Sequence, residues 1–595
     1  MNINLEKDLV DNFKLPIEYQ NINKKHKLNE NIITDLELVK TISNDSTVND
    51  EKSIYNYIFN PSNCFGKLIV KKLPNIYTTN TTYLKETQEL LKSYTSNTTT
   101  NNINYDDILN TYKEIKCETG FCEKYMYIEW EHVKFLNTNP LFLQVLSIYS
   151  LASPLLSLFL PIILLVIPFF ILKIKGIEIN IEQYTTILKG LIGNHAIGKF
   201  FTKFNDVDIR EKAYILMSVA FYFFSIYQNI LTCIKFYTNI NKIHSFIFKL
   251  KEHINNSIKI MDNYLLVSSS LSSYQEFNKE VLHNKAYLEN VFKEFNKITP
   301  FSISISKVFE IGHIMEQFYK IYDDNQFNSC LLFSFGFIGY MDCLNGLSTN
   351  IQNGLINFTK FNKKIKSKKE KKINNKIIFK NAYYPALINS NPVKNDCELS
   401  KNIIITGPNA SGKTTILKTC LINVILSQQF GCGTYRSANF SPFKHIHCYL
   451  NIPDTSGRDS LFQAEARRCK EIIDCINGNK LDNHFCVFDE LYSGTNPDEA
   501  VVSASAFMEY LYSFKNVTSM LTTHYIDLCS QLEKNNSKVM TNCHMGTIKD
   551  ISKENVFNYT YILEKGISNV KGGFKVLADM DYPVEILNKT QNKFI

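Results

Sequence analysis

A short apolar run, Asn402–Thr406, leads directly into GPNASGKTT, Gly407–Thr415, and a helical pattern follows from Lys413 to about Gln428. A strand, a glycine-bounded turn and a helix in that order predict an α/β P-loop domain. Glycine is needed where backbone N–H groups wrap closely around phosphates. Gly407 and Gly412 take those places, and Pro408, Asn409, Ala410 and Ser411 form the loop between them. Lys413 supplies a fixed positive charge, Thr414 offers a hydroxyl to Mg²⁺, and Thr415 closes the motif. The helix N-terminus adds its dipole to the same anion site. The alternative is a glycine-bearing turn without a ligand, and the flanking strand and helix weigh against it.

Two further strands carry chemistry. HFCVFDE, His484–Glu490, reads as a buried strand ending in two carboxylates. Asp489 can hold Mg²⁺ through water, while Glu490 projects differently and can polarise an attacking water. LYSGTNPDEA then turns into another helix. A third strand, Val517–Thr522, ends at Thr523–His524, where a histidine can sense the nucleotide state. A lone histidine is more often structural; the place of this one at a strand end, after the other two motifs, favours the functional role.

In this order the motifs resemble the MutS family, within the ABC-type ATPases, over about residues 381–590. GPNASGKTT is similar to the family's GPNMGGKST, DELYSGTNPDEA resembles DEIGRGTSTYDG, and TTHY is similar to ATHY. DTSGRDSLFQAEARR, Asp454–Arg468, resembles the signature segment whose serine reaches the partner subunit's γ-phosphate; Ser460 takes that position, with Phe462 and Glu465 in register. The family's adenine-side His-Pro and Asn-Asp pairs correspond to Tyr384–Pro385 and Asn395–Asp396. Tyrosine in place of histidine is a departure, although its ring can still stack on a base. Gly572–Gly573 replaces a Ser-Tyr-Gly pattern near the end of the chain. The resemblance implies ATP and Mg²⁺ as ligands, Glu490, His524 and Ser460 (in trans) as catalytic groups, and a homodimer or heterodimer formed through the ATPase domain. It also implies DNA as a partner.

The rest of the chain departs from that family. No charged residue occurs between Lys134 and Lys173, and Val145–Leu172 exceeds the roughly 20 residues needed to cross a bilayer. Pro154, Pro161 and Pro168 interrupt it, so it is either one kinked span or a tight hairpin. Ala213–Ile234 is also charge-free and is followed by Lys235, Lys242, Lys249 and Lys251, the basic flank expected on the cytoplasmic side. Buried core helices are the alternative for both runs. Two spans would leave both termini in the cytosol, where ATP is. Phe121–Cys122–Glu123 has the F-x-E form of the mismatch-reading wedge, but three residues match by chance easily and a structural role is favoured.

The predicted organisation is an ill-defined region 1–138, with a mobile or weakly structured loop at Thr78–Asn102, then an apolar helical region 139–236. A helical lever-like core spans 237–360, a Lys-rich linker 361–380, and the ATPase domain 381–595. The linker carries nine lysines and one glutamate, and suits the phosphates of DNA or of lipids; a solvated hinge is the alternative. The net charge of +8 on 595 residues is too modest to demand a nucleic-acid partner. Fifteen cysteines without paired CxxC spacing indicate reduced thiols in a cytosolic setting, and the N-terminus shows no secretory signal. The C-terminal dimerising helices of the family are expected to be short or absent. Two function classes stand: a mismatch or distorted-DNA recognition ATPase with ATP-driven clamp switching, or a membrane-anchored MutS-like ATPase with a mechanical or scaffolding role.

Overall fold

A computed structural model describes residues 5–41, 52–93, 103–176, 180–194, 196–202, 204–302, 304–362, 377–450, 452, 460–549, 557–570, 572–583, 585–586 and 589. They divide into two compact units. One comprises Asp106–Ile258 and Lys285–Leu331; the other comprises Leu5–Tyr105, Lys259–Asn284 and Leu332–Ile595.

The first unit is helical. Its core gathers aromatic rings: Phe121 stacks on Tyr322 with ring centroids 3.7 Å apart and lies parallel to Tyr127. Phe121 is 2% exposed, so the F-x-E phenylalanine is a core residue and cannot act as a wedge. The run Val145–Leu172 lies within one helix, Pro140–Ile174, which continues through all three prolines. The Ala213–Ile234 run belongs to the helix Ile209–Ser268. These helices lie side by side and antiparallel: Tyr222 Oη donates to Leu158 O at 3.0 Å, and Cys233 Sγ to Leu151 O at 3.6 Å. Their outward side chains, including Leu155, Phe170, Phe221, Phe223 and Tyr227, are exposed.

The second unit holds two sheets. In the six-stranded sheet, β1 (Asn402–Thr406) is followed by helix α1 (Lys413–Phe430), and β2 (His445–Tyr449) by α2 (Leu461–Gly478). Then come β3 (His484–Asp489), α3 (Pro497–Tyr512), β4 (Val517–Thr522), α4 (Ile526–Asn536), β5 (Met540–Lys549) and β6 (Phe557–Lys565). The strand order is β6-β5-β1-β4-β3-β2, parallel throughout except for the β5–β6 hairpin. Continuous apolar runs such as IIIT and FCVF suit strands covered on both faces.

The smaller, five-stranded sheet includes Asn357–Phe361 and Ile377–Ala382, each hydrogen-bonded to Ser437–Phe440. The segment 361–380 is therefore not a linker between domains: both of its ends are strands of one sheet, and residues 363–376 lie outside the described residues. A single lever over 237–360 is likewise not found, because those residues are shared between the two units.

The described residues of the N-terminal region form elements that its composition does not announce. Thr81–Ser93 is a helix with Tyr83, Leu84, Leu90 and Leu91 buried, which corrects the loop reading of 78–102; residues 94–102 lie outside the described residues. Helical spacing of four large apolar residues outweighs the local richness in Thr and Asn. Gln88 Nε2 from this helix donates to Thr359 O and Gly431 O, at 2.9 and 2.7 Å. Neighbouring N-terminal segments clad α1: Gln429 Nε2 lies 3.0 to 3.2 Å from the carbonyl oxygens of Leu73, Pro74 and Ile76.

From Leu332 onward, a third long apolar helix, Asn325–Gln352, forms part of the core of the second unit. Phe13 packs against Phe333, and Phe65 stacks on Phe335 at 4.5 Å. The backbone of the N-terminal region approaches this helix so closely that a Cβ at Gly346 would overlap the Phe59 carbonyl. Gly346→Ala is expected to destabilise the protein by about 1–3 kcal/mol through overpacking. Urea unfolding checks this, and an unchanged midpoint would mean that the close approach is not maintained.

Candidate nucleotide site

Strand register builds the site. Ile405 on β1 pairs with Thr522 on β4, and Thr522 pairs with Asp489 on β3. Glu490 and Thr523, one residue beyond this row, and Gly407, two beyond it, therefore emerge together at the carboxyl ends of the strands, where open α/β sheets place their ligands. Two further bonds tie the exits: Glu490 N donates to Thr522 O at 2.9 Å, and Thr523 N to Ile405 O at 3.0 Å.

In the loop, Gly407 has φ +152° and Gly412 φ +94°, and a Cβ on Gly407 would lie 2.8 Å from Ser411 Oγ. Ala410 adopts φ +64° between them, a conformation unfavourable for a side chain. Ser411 Oγ is buried without a hydrogen-bond partner. A hydroxyl held dry inside a glycine loop fits an anionic oxygen. Gly412 caps α1 with no side-chain hydrogen bond, so the first-turn N–H groups face the same space.

Lys413 Nζ donates to the carbonyls of Gly407 (3.1 Å) and Pro408 (3.2 Å) and lies 3.9 Å from Glu490 Oε1. Burial pulls the Lys413 pKa down, against the opposing pull of Glu490 and Asp489. Asp489 accepts from Thr414 Oγ1 at 2.9 Å and also from Thr522 Oγ1. A hydroxyl and a carboxylate side by side are hard oxygen donors suited to Mg²⁺. Glu490 sits at φ +50°, with its carboxylate 3.4 Å from His524 Nδ1. The hydrogen bond to His524 is the main cause holding Glu490 below the ordinary carboxylate range; burial opposes it and Lys413 assists.

Beside the loop lies a cavity of about 690 Å³, lined among others by Tyr384, Asn395, Thr415, Ile416, Met545 and Tyr561; Asn409 also contributes. Tyr384 thus stands on the wall expected for a base. Asn395 is placed there too, but its amide is committed to β6: Nδ2 donates to Tyr561 O at 2.9 Å, and Oδ1 accepts from Leu563 N at 2.7 Å. It braces the wall and leaves the ring of Tyr561 facing the loop, 3.3 Å from where a Gly412 Cβ would stand. Tyr561 and Met545 have no motif to announce them: Met545 follows the β5 residues paired with the end of β1, and Tyr561 reaches the loop through the β5–β6 hairpin. Gly572 also has a steric reason, since a Cβ there would overlap Pro408.

Ser460 lies apart from this cluster, exposed, as the N-cap of α2. Its Oγ accepts from Gln463 N at 3.3 Å, and Gln463 Oε1 accepts from Ser460 N at 3.0 Å. The preceding part of the signature segment, residues 453–459, lies outside the described residues. Glu465, one turn on, is buried and accepts from Ser493 N, Ser493 Oγ and Gly494 N at 2.9 to 3.2 Å. It locks α2 to the loop that carries Glu490.

Comparison with known proteins agrees with this architecture. Residues 403–595 match MutS domain V. The chain is similar to endonuclease MutS2 of Staphylococcus epidermidis, 26% identical over 219 residues, which cover 36% of this chain and 27% of that protein. It is 28% identical over 215 residues to endonuclease MutS2 of Staphylococcus haemolyticus, covering 36% of this chain and 26% of that protein. It is 32% identical over 200 residues to human MutS protein homolog 4, covering 32% of this chain and 20% of that protein. The matches thus span about a quarter of the length of these relatives. The glycine loop, the carboxylate pair and the histidine, in this order and on this sheet, all lie within the part of the chain that matches MutS domain V.

Proposed function

We propose that the protein is a MutS-type ATPase whose nucleotide cycle opens and closes a dimer on mismatched or otherwise distorted DNA. The observation that carries this reading is the convergence of Lys413, Thr414, Asp489, Glu490 and His524 at one end of the sheet. Loop N–H groups and Lys413 orient the phosphates of ATP. Thr414 and Asp489 would hold Mg²⁺, which when bound neutralises charge on the phosphate oxygens. Glu490, ionised, accepts a proton from the attacking water. His524 aims the Glu490 carboxylate, and on this reading it senses the γ-phosphate. Ser460, on the exposed N-terminus of α2, supplies a hydroxyl to the nucleotide held by a partner protomer, either a second copy or a related chain. DNA is carried over by analogy with the mismatch-repair members of the family.

A second reading is favoured by a separate observation. The antiparallel apolar helices 140–174 and 209–268 expose long hydrophobic faces, and lysines flank their charge-free runs. Such a pair fits a bilayer, with the ATPase domain in the cytosol. On this reading the ATPase acts mechanically or as a scaffold at a membrane.

Lys413→Ala is expected to weaken ATP binding about 10- to 100-fold, the loss of a charge-assisted hydrogen bond. Glu490→Gln is expected to bind ATP within a few-fold of wild type while hydrolysis falls about 10²- to 10⁴-fold. Fluorescent-nucleotide titration and phosphate release measure both, and tight ATP binding by the Lys413 variant would count against the site.

Because His524 keeps the Glu490 pKa low, the ionised base survives as pH falls. His524→Ala should therefore move the acid limb of the kcat profile to higher pH. An unmoved limb would separate the histidine from the base.

The two readings part in a paired measurement. Binding to mismatched or branched duplex, weakening steeply with salt, supports the first, and absence of duplex binding at low salt ends it. Retention in the membrane fraction after carbonate extraction supports the second, and full solubility ends it.

A further inference from the structure

The opposite edge of the six-stranded sheet, where the strands begin, holds a second cluster of chemistry-bearing side chains. His445 opens β2, His484 opens β3, and Cys475 lies in the last turn of α2. One ring nitrogen of each histidine and Cys475 Sγ lie within 4.8 Å of one another. Cys475 Sγ is 3.7 Å from His445 Nδ1. Ligands at about 2.0–2.1 Å (nitrogen) and 2.3 Å (sulfur) from a tetrahedral Zn²⁺ are themselves about 3.6 Å apart. His447 Nε2 lies 3.1 Å from His484 Nδ1, at hydrogen-bond distance beside the cluster.

The surroundings orient the donors. His445 Nε2 lies 3.3 Å from Asp482 Oδ2, which also accepts from Lys444 Nζ at 2.8 Å. His484 Nε2 lies 3.1 Å from Asn479 O, a carbonyl that can only accept. Each Nε2 therefore carries a proton, and each Nδ1 presents a lone pair. A carboxylate or carbonyl behind a ligating imidazole is the usual outer support of a metal site.

We propose that His445, Cys475 and His484 are the protein ligands of a Zn²⁺ site that pins the C-terminal end of α2 to β2 and β3, the fourth position being left to water. One thiolate and two imidazoles suit Zn²⁺ over Mg²⁺ or Ca²⁺, which take oxygen ligands. The Cys475 thiol proton leaves to solvent on binding. The site lies at the other end of the strands from the nucleotide loop, and its test does not depend on ATP hydrolysis.

The test uses the full chain, stripped with a chelator and titrated with Co²⁺ as a spectroscopic stand-in. The expected result is one ion per chain, with a thiolate-to-cobalt charge-transfer band and tetrahedral d–d bands that one equivalent of Zn²⁺ abolishes. Cys475→Ser should lose the charge-transfer band, while Cys117→Ser, at an exposed thiol in the other unit, should keep it. Asp482→Asn leaves every ligand in place and should weaken Zn²⁺ binding about 10- to 100-fold. Zn²⁺ should raise the Tm of the wild type but not of Cys475→Ser, and retained binding of fluorescent ATP would show that the variants are folded. No charge-transfer band in the wild type, or an undiminished band in Cys475→Ser, would overturn the proposal.

Discussion

The hydrogen-bonded row Ile405–Thr522–Asp489 is the constraint on which the candidate site depends. Three strands must end in register for the glycine loop, the carboxylate pair and the histidine to meet. A slip of one residue on β3 would turn Asp489 to the opposite face of the sheet. The Asp489 carboxylate reinforces the row by accepting from Thr414 at the start of α1 and from Thr522 at the end of β4. Hydrogen bonds to a charged group contribute about 1.5–3 kcal/mol each, so this residue holds helix and sheet together before any ligand is considered.

The row needs a fixed helix behind it, and the N-terminal region supplies one. From Ile416 to Phe430 nearly every residue of α1 is buried, including the polar Asn423, Gln428 and Gln429. A helix apolar only on one face could not be enclosed in this way. The polar groups are satisfied one by one: Asn423 Oδ1 accepts from Thr434 N, Gln428 bonds both backbone groups of Phe443, and Gln429 bonds the carbonyls of residues 73, 74 and 76. Segments far apart in the chain thus form one folding unit around the loop helix, and a boundary at residue 381 does not describe the molecule.

What the sequence disclosed was chemistry encoded locally. The loop Gly407–Thr415, the pair Asp489–Glu490 and His524 each sit beside their own strand, so a contiguous run of residues reveals them. Tyr561 and the bracing role of Asn395 depend on a cross-strand pairing between distant residues, which no local pattern carries. The cysteine–histidine cluster is hidden for the same reason, its members coming from two strands and a helix. Hydropathy shows a different ambiguity. The runs at 145–172 and 325–352 are both long and apolar, yet one exposes Leu155 and Phe170 while the other buries Phe333, Phe335 and Leu347. Composition measures how much apolar surface exists; the partners that cover it are set by tertiary contacts, here the glycine-lined approach of Phe59 and Phe65.

Helix α2 connects the two ends of the sheet. Eighteen residues at about 1.5 Å each make it about 27 Å long. Its first turns are held by Glu465, whose buried carboxylate accepts three hydrogen bonds from the loop after Glu490. Its last turn meets the histidines that open β2 and β3. The helix is thus held at both ends, at its start to the loop after β3 and at its end to the first residues of β2 and β3.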